Sequence, residues 1–251
     1  MKDNFSKQSD LYVQYRPTYP PELFANIFQF VKQKNIAWDC GTGNGQVAKV
    51  LAQYFTTVYA TDISIDQIKN AANADKIIYT IESAEQTSFA DNSFDLITVA
   101  QAIHWFDFNK FYSEVKRTAK PGGILAVIGY GLIQTSGKLT DAILYFYRNI
   151  VGPYWDKERK YIDENYQTIP FPFAELEPVQ LNNFFEWNFD ELIGYLNTWS
   201  AVQHYIKANN KNPVDLYQNE LKDAWGDKQI EIFSFPILLG IGKIEKANAS
   251  D

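Results

Sequence analysis

Asp39-Cys40-Gly41-Thr42-Gly43-Asn44-Gly45 is the stretch on which the reading of this chain turns. Before it, residues 35–40 form a short apolar run with strand character. After it, residues 46–55 carry Val47, Val50, Leu51 and Tyr54 at helical spacing. A glycine-rich turn from strand to helix lets the backbone bend sharply and approach a ligand without Cβ collisions. The helix that follows opens with unpaired N–H groups.

Strand and helix signals alternate outward from this loop. Residues 21–34 read as an amphipathic helix with Leu23, Ile27, Phe30 and Val31 on one side and prolines at its start. Residues 57–61 read as a strand ending at Asp62, and Ser64 as the N-cap of a helix through residue 72. Strands follow at 76–81, 94–100 and 124–128, with a helix at 109–119 halted by Lys120-Pro121-Gly122-Gly123. This rhythm predicts an α/β fold, a parallel sheet with helices on both faces. It breaks after Gly131. Helices are expected at 139–150, 190–199 and 213–225, a strand at 184–189, and a closing strand at 229–244 bent at Pro236. With no internal repeat or linker, the chain reads as a single domain over 1–251. Residues 1–35 are expected to form an N-terminal cover, 36–130 the cofactor-binding core, 131–228 a helical lid insertion and 229–251 the closing strand and tail.

The glycine spacing is G-x-G-x-G, one residue short of the usual dinucleotide pattern. Asp39 stands two positions before the first glycine, where a carboxylate repels a pyrophosphate and favours a cation. S-adenosylmethionine (SAM) offers an ammonium and a sulfonium. Asp62, at the end of strand two, is placed for both ribose hydroxyls, but NAD enzymes use an acidic residue there too. An NAD-dependent oxidoreductase and a SAM-binding protein without catalysis therefore stand as rivals.

From strand one through strand five, residues 36–129, and again in the closing strand, the sequence resembles the class I SAM-dependent methyltransferases of the type 11 domain. The resemblance implies a Rossmann-like, seven-stranded, mostly parallel sheet of order 3-2-1-4-5-7-6 with strand seven antiparallel. It also implies SAM as cofactor and S-adenosylhomocysteine as product. Gly41, Gly43 and Gly45 would line the methionine part, Asp39 would sit near its amino group, and Asp62 would hold the ribose. Ala84 and Glu85 would lie at the adenine, with Gln101 and Ala102 beneath the cofactor. Three further blocks look like the trans-aconitate methyltransferase-like branch: Tyr15-Arg16-Pro17-Thr18-Tyr19-Pro20, Gln101-Ala102-Ile103-His104-Trp105-Phe106 and Leu196-Asn197-Thr198-Trp199-Ser200. Members of that branch methylate small molecules, including carboxylates, at oxygen.

Other classes fit poorly. The position after strand four reads Ala100-Gln101-Ala102-Ile103, not the Asn/Asp-Pro-Pro-aromatic motif of amino-group DNA methyltransferases. The one cysteine, Cys40, lies in the glycine loop, so no cytosine-C5 nucleophile follows a proline. A net charge of -7 argues against nucleic acid as partner. One cysteine and two histidines leave no disulfide framework and no metal site to expect. The N-terminal stretch lacks an apolar signal region and no run approaches membrane-spanning length, so a cytoplasmic location is expected. The oligomeric state is open.

Aromatic residues make up 16% of the chain. Trp105 and Phe106 follow strand four at the carboxyl edge of the sheet, where ligands bind. Tyr15, Arg16 and Tyr19 precede the first helix and are placed to fold over the cofactor. Tyr145, Tyr147, Trp155, Tyr161 and Trp199 belong to the expected lid, although aromatics at helical spacing more often belong to a core. His104 is the histidine expected beside the methyl donor, as a general base for a hydroxyl or as an orienting group. His204 lies outside the matching blocks and reads as structural. Arg16 is expected to take part in the site. For an anionic substrate, Arg148 or Arg159 would join it.

Overall fold

The computed structural model describes residues 14–71 and 74–246. The expected end of the helix at residue 72, the first thirteen residues and the tail from 247 lie outside the described residues.

Helix α1 (Pro21–Phe28) starts on a proline and buries Leu23, Phe24 and Ile27. Strand β1 (Ile36–Cys40) runs to the glycine loop, and α2 (Gln46–Leu51) leaves from Gly45 in a left-handed conformation. Strand β2 (Thr57–Asp62) leads to α3 (Ile65–Lys69), which Ser64 caps by accepting the Gln67 N–H at 3.3 Å. Next come β3 (Ile77–Ile81), β4 (Phe94–Ala100), a 3-10 turn (Ile103–Trp105), α4 (Phe108–Thr118) and β5 (Ala119–Tyr130). The later elements are α5 (Gly137–Tyr145) running into a π-turn at Phe146–Ile150, α6 (Arg159–Asp163), β6 (Ala174–Leu176) and β7 (Asn182–Trp187). They continue with α7 (Phe189–Asn197), α8 (Ser200–Asn209), α9 (Pro213–Leu216), α10 (Gln218–Trp225) and β8 (Glu231–Lys243).

The strand order is β3-β2-β1-β4-β5-β8-β6, with β7 added on β8. The neighbours from β3 to β5 are parallel, and β8 is antiparallel to β5, β6 and β7. Among the described residues the sheet thus has eight strands where seven were expected. The extra one finds a place because β8 serves three partners, with β6 on residues 241–243 beside the two that follow. Its first half, through Pro236, pairs with β7, and its second half, from Ile237, pairs with β5. Pro236, where a bend was expected, is the last β8 residue paired with β7 inside one continuous strand.

Lys120-Pro121-Gly122-Gly123 lies inside β5, not before it. Phe94 pairs with Ala119 and Leu96 with Ile124, so the four residues bulge out of the ladder. Gly122 supplies the left-handed residue (φ +76) that such a bulge uses. The helix expected over 190–199 begins at Phe189, because Asn188 and Glu191 form a capping box, and it ends at Asn197. A separate helix, α8, follows from Ser200.

Alternate residues of the central strands feed two buried clusters, one on each face of the sheet. Ala37, Leu96, Ala126 and Ile128 join α1, α2 and most of the later helices. Trp38, Ile97, Val99, Leu125 and Val127 join α4 and the segment around Ile169 and Phe173. Trp38 is fully buried and donates its indole N–H to Thr61 Oγ1 at 2.9 Å. No helix among the described residues is long and apolar enough to cross a membrane.

Candidate active site

The carboxyl ends of β1, β2, β4 and β5 meet at one edge of the sheet, and two neighbouring cavities lie there. The first measures about 1050 Å³ and opens to solvent. Asp39, Gly41, Gly43, Asp62, Gln101 and Ala102 line it together with Arg16, Tyr19, Trp105 and Phe106. The second measures about 570 Å³ and is walled by His104, Trp155, Asp156, Arg159, Tyr195 and Ser200. Arg16, Gln101, Trp105 and Tyr130 line both, so the two spaces share a wall.

In the glycine loop each glycine has a different reason. Gly41 stands at φ +66, and a Cβ there would lie 2.7 Å from Ala102 Cβ and 3.3 Å from the Phe106 ring. Gly43, at φ +55, faces open space with only Gln67 within reach. Gly45 does not line the cavity. Its φ is +80, and a Cβ would collide with the Tyr79 hydroxyl, so this glycine admits the tyrosine beneath the start of α2.

Asp39 is buried. Its Oδ2 accepts from Thr42 Oγ1 at 2.6 Å and from the Ala48 N–H at 3.1 Å, and its Oδ1 accepts from Thr98 Oγ1 at 2.7 Å. Burial outweighs these bonds and pushes its pKa up to about 6. Asp62 accepts the Gly43 N–H with one oxygen and the Ser64 N–H with the other, each at 2.9 Å. Held by these two bonds, the Asp62 carboxylate stands on the wall of the first cavity.

Gln101 adopts a left-handed conformation (φ 52), and its backbone N–H donates to Ile128 O at 2.9 Å, which fixes the floor between β4 and β5. Ala84 and Glu85 do not reach the cavity wall. Ala84 is buried in the cluster with α4, and Glu85 Oε1 accepts the Asp107 N–H at 3.1 Å.

Arg16 spans the two cavities. One terminal nitrogen donates to the Tyr130 hydroxyl at 3.1 Å and the other to Thr198 O at 2.9 Å, with the guanidinium over the Tyr195 ring. Tyr15 packs on Gly194 in α7, away from the cavity wall. Tyr19 meets Tyr130 at 6.1 Å between ring centroids. His104 is buried on the second cavity, with Nδ1 3.3 Å from the Tyr166 hydroxyl. Burial and then the Arg159 charge lower its pKa to about 3, so the imidazole is neutral at ordinary pH.

Trp199 lines neither cavity. It is buried among Phe146, Tyr147, Trp155 and Tyr195. Arg159 lines the second cavity, whereas Arg148 is exposed elsewhere. Tyr145 is an exposed residue stacked on Tyr217. His204 Nδ1 lies 2.9 Å from Tyr154 O, in a structural contact. Tyr130, Asp156 and Tyr195 are among the lining residues that went unread in the sequence. Tyr130 ends β5 at the carboxyl edge, and the rule that pointed to Trp105 would have found it.

A parallel sheet of this order, closed by an antiparallel strand beside β5 and carrying a glycine-loop cavity at its carboxyl edge, defines the Rossmann-like methyltransferase class. The methyltransferase-domain family model matches residues 38–127. A protein described as a methyltransferase from Dictyostelium discoideum is 34% identical, with 97% of this chain and 95% of that protein covered. The malonyl-[acyl-carrier protein] O-methyltransferase of Buchnera aphidicola is 32% identical over 74% of each chain. The solved structure of a protein described as a type II methyltransferase from Anaeromyxobacter dehalogenans is 33% identical, with a TM-score of 0.85, covering 93% of this chain and 100% of that one. The chain belongs to the class I SAM-dependent methyltransferase family and is an enzyme of that class.

Proposed function

We propose that this enzyme transfers a methyl group from SAM to a small molecule, at a carboxylate or hydroxyl oxygen. The observation that carries the reading is the pair of cavities sharing the Arg16, Gln101, Trp105 and Tyr130 wall. One has the features a SAM site needs, and the other gives room for an acceptor next to it.

The residues of the first cavity fit the cofactor. The space left by the missing Gly41 side chain admits a ligand close to the backbone, between Ala102 and Phe106. Asp39 offers a buried carboxylate to an ammonium, and Asp62 places a carboxylate on the cavity wall for a ribose. Bound SAM supplies an electrophilic methyl on a sulfonium. The protein's part is to hold an acceptor oxygen in line with it and to keep water out. Trp105 and Phe106 supply apolar cover, and Trp105 also offers a ring face toward a cation. His104, being neutral, is suited to accept or donate one hydrogen bond in the second cavity. An ionised carboxylate acceptor needs no base, and with a pKa lowered to about 3 His104 is too weak a base for a hydroxyl, so its fitting role is to orient the acceptor.

The O-methyltransferase relative supports oxygen as the acceptor atom, as does the resemblance of three sequence blocks to the trans-aconitate methyltransferase-like branch. One domain, with the N-terminal segment as cover and residues 131–228 as lid, is part of the same reading. Tyr19 and Arg16 from the first and Trp155 and Arg159 from the second wall the cavities. Protection of residues 131–228 from proteolysis by S-adenosylhomocysteine tests the lid.

The test of function is calorimetric titration with SAM, S-adenosylhomocysteine and NAD, followed by labelled methyl transfer to a panel of small acids, phenols and amines. Binding of the first two alone and a methyl ester or methyl ether product support the reading. Preference for NAD, or product only with amines, overturns it.

A further inference from the structure

We propose that Arg159 is the anchor of the methyl acceptor, binding an anionic group of that molecule other than the oxygen that is methylated. This deepens the small-molecule reading and rests on it.

Arg159 is held as a fixed donor. Its guanidinium lies over the Trp155 ring at 4.6 Å and near the Tyr147 ring at 5.2 Å. Its Nε donates to the Tyr147 hydroxyl at 2.8 Å and to Asp163 Oδ1 at 3.3 Å, and the Tyr147 hydroxyl itself donates to Asp163 at 2.6 Å. Rings and carboxylate together fix the plane of the guanidinium from one edge. Neither terminal nitrogen, Nη1 or Nη2, donates to any acceptor among the described residues. Arg159 nonetheless lines the second cavity and is only 17% exposed. A guanidinium carries five N–H donors in a rigid fork, and here the fork's outer pair is left for a ligand.

Arg16 is different. Both its terminal nitrogens donate within the protein, to Tyr130 and to Thr198. It straps the N-terminal segment to the end of β5 and to the α7–α8 junction. Of the two arginines on the second cavity, Arg159 is the one with a fork to offer. A planar carboxylate fits that fork with two parallel bonds.

The anchor is separate from the reacting atom because Arg159 lines only the second cavity, away from the wall shared with the first. The acceptor class that follows is a molecule with a spectator carboxylate and a second oxygen group that reaches toward Trp105 and Gln101.

The test titrates the protein, with and without S-adenosylhomocysteine, with glutarate, succinate and benzoate against their neutral amides. Ligand-observed NMR and calorimetry give the affinities. Wild type should bind at least one carboxylate and not its amide. Arg159→Gln should lose about tenfold or more of that affinity while S-adenosylhomocysteine binding stays within about twofold, since a charged hydrogen-bonded pair is lost only at the anchor. Arg159→Lys should fall between them. Phenylglyoxal labelling of wild type, mapped by mass spectrometry, needs no folded variant. Arg159 should be modified and protected by the same carboxylate.

Equal carboxylate binding by Arg159→Gln, or labelling of Arg159 unaffected by carboxylate, overturns the anchor and leaves the methyltransferase reading intact. A matching loss of S-adenosylhomocysteine affinity in Arg159→Gln also overturns it, by giving the fork to the cofactor's own carboxylate. Absence of S-adenosylhomocysteine binding in wild type counts against the cofactor assignment instead, and the carboxylate titration without it is then read by itself.

Discussion

The Asp62 carboxylate accepts the backbone N–H of Gly43 at 2.9 Å, so the end of β2 and the glycine loop after β1 form one wall. The same side chain holds the start of α3 through the Ser64 N–H. Asp62→Ala therefore removes the proposed ribose acceptor and loosens the glycine loop. Affinity for S-adenosylhomocysteine should fall by about tenfold or more, the scale of lost hydrogen bonds to a charged group. Calorimetry measures it, with circular dichroism as the check on folding. Unchanged affinity would remove Asp62 from the cofactor site.

Asp39 is expected to make cofactor binding depend on pH. Its pKa is raised from 3.8 to about 6, chiefly by burial. Between those values the folded state holds the proton more tightly than the unfolded one. The group's contribution to stability is thus full below 3.8 and lost as pH rises through about 6. A cation bound beside it favours the carboxylate and releases a proton. Affinity for S-adenosylhomocysteine should weaken as pH falls below about 6, and titrations in buffers of different ionisation heat should count the proton. In Asp39→Asn, affinity should be lower and its pH dependence flatter.

His104 acts in the opposite sense on stability. Its folded pKa is lowered from 6.5 to about 3, by burial and by Arg159. The unfolded chain takes up a proton that the folded one refuses, so stability is full above 6.5 and is lost as pH falls toward 3. The slope approaches about 1.4 kcal/mol per pH unit. Urea unfolding at pH 7 and pH 5 should show a smaller acid loss in His104→Gln than in wild type. Equal losses in both would mean that the imidazole is protonated in place.

Gly45→Ala meets two obstacles at once. The left-handed φ of +80 disfavours any side chain, and the new Cβ meets the Tyr79 ring and hydroxyl. The first costs about 1–3 kcal/mol. Adding Tyr79→Phe should recover only part of the loss in urea unfolding, because the backbone term remains. Full recovery would assign the whole effect to the tyrosine.

Much of the sheet was legible because its signals are local. Alternating apolar runs, the Ser64 cap and the glycine loop each lie within a few residues and together predict a parallel sheet, whereas its strand order came from the family resemblance. What was hidden depends on residues far apart. Ala174–Leu176 has no strand composition and becomes β6 only because β8 offers it an edge. Phe146–Ile150 continues α5 as a π-turn, which no spacing rule marks. In the site, Asp39, Gly41, Gly43, Asp62, Gln101 and Ala102 come together as their positions after the strands require. Trp199 and Tyr15 sit in matching blocks but turn into the packing, since a block fixes a position in the chain and not the direction of a ring. Arg159 stood in the sequence only as an alternative to Arg148 for an anionic substrate. Its role needed Tyr147, Trp155 and Asp163 in view.

Strand β8 follows every other strand in the chain, yet it lies between β5, β6 and β7. Ile124 finds its partner in Lys243 and Tyr130 finds its partner in Ile237. Until those residues leave the ribosome, the outer edge of β5, lined with Leu125, Val127 and Ile128, has no strand to cover it. Such an edge is a template for pairing with another chain. The nucleotide half of the sheet can collapse early through its local βα units, while closure waits on contacts of long sequence separation, which form slowly. During synthesis this enzyme carries its aggregation hazard at β5, and the arrival of β8 removes it.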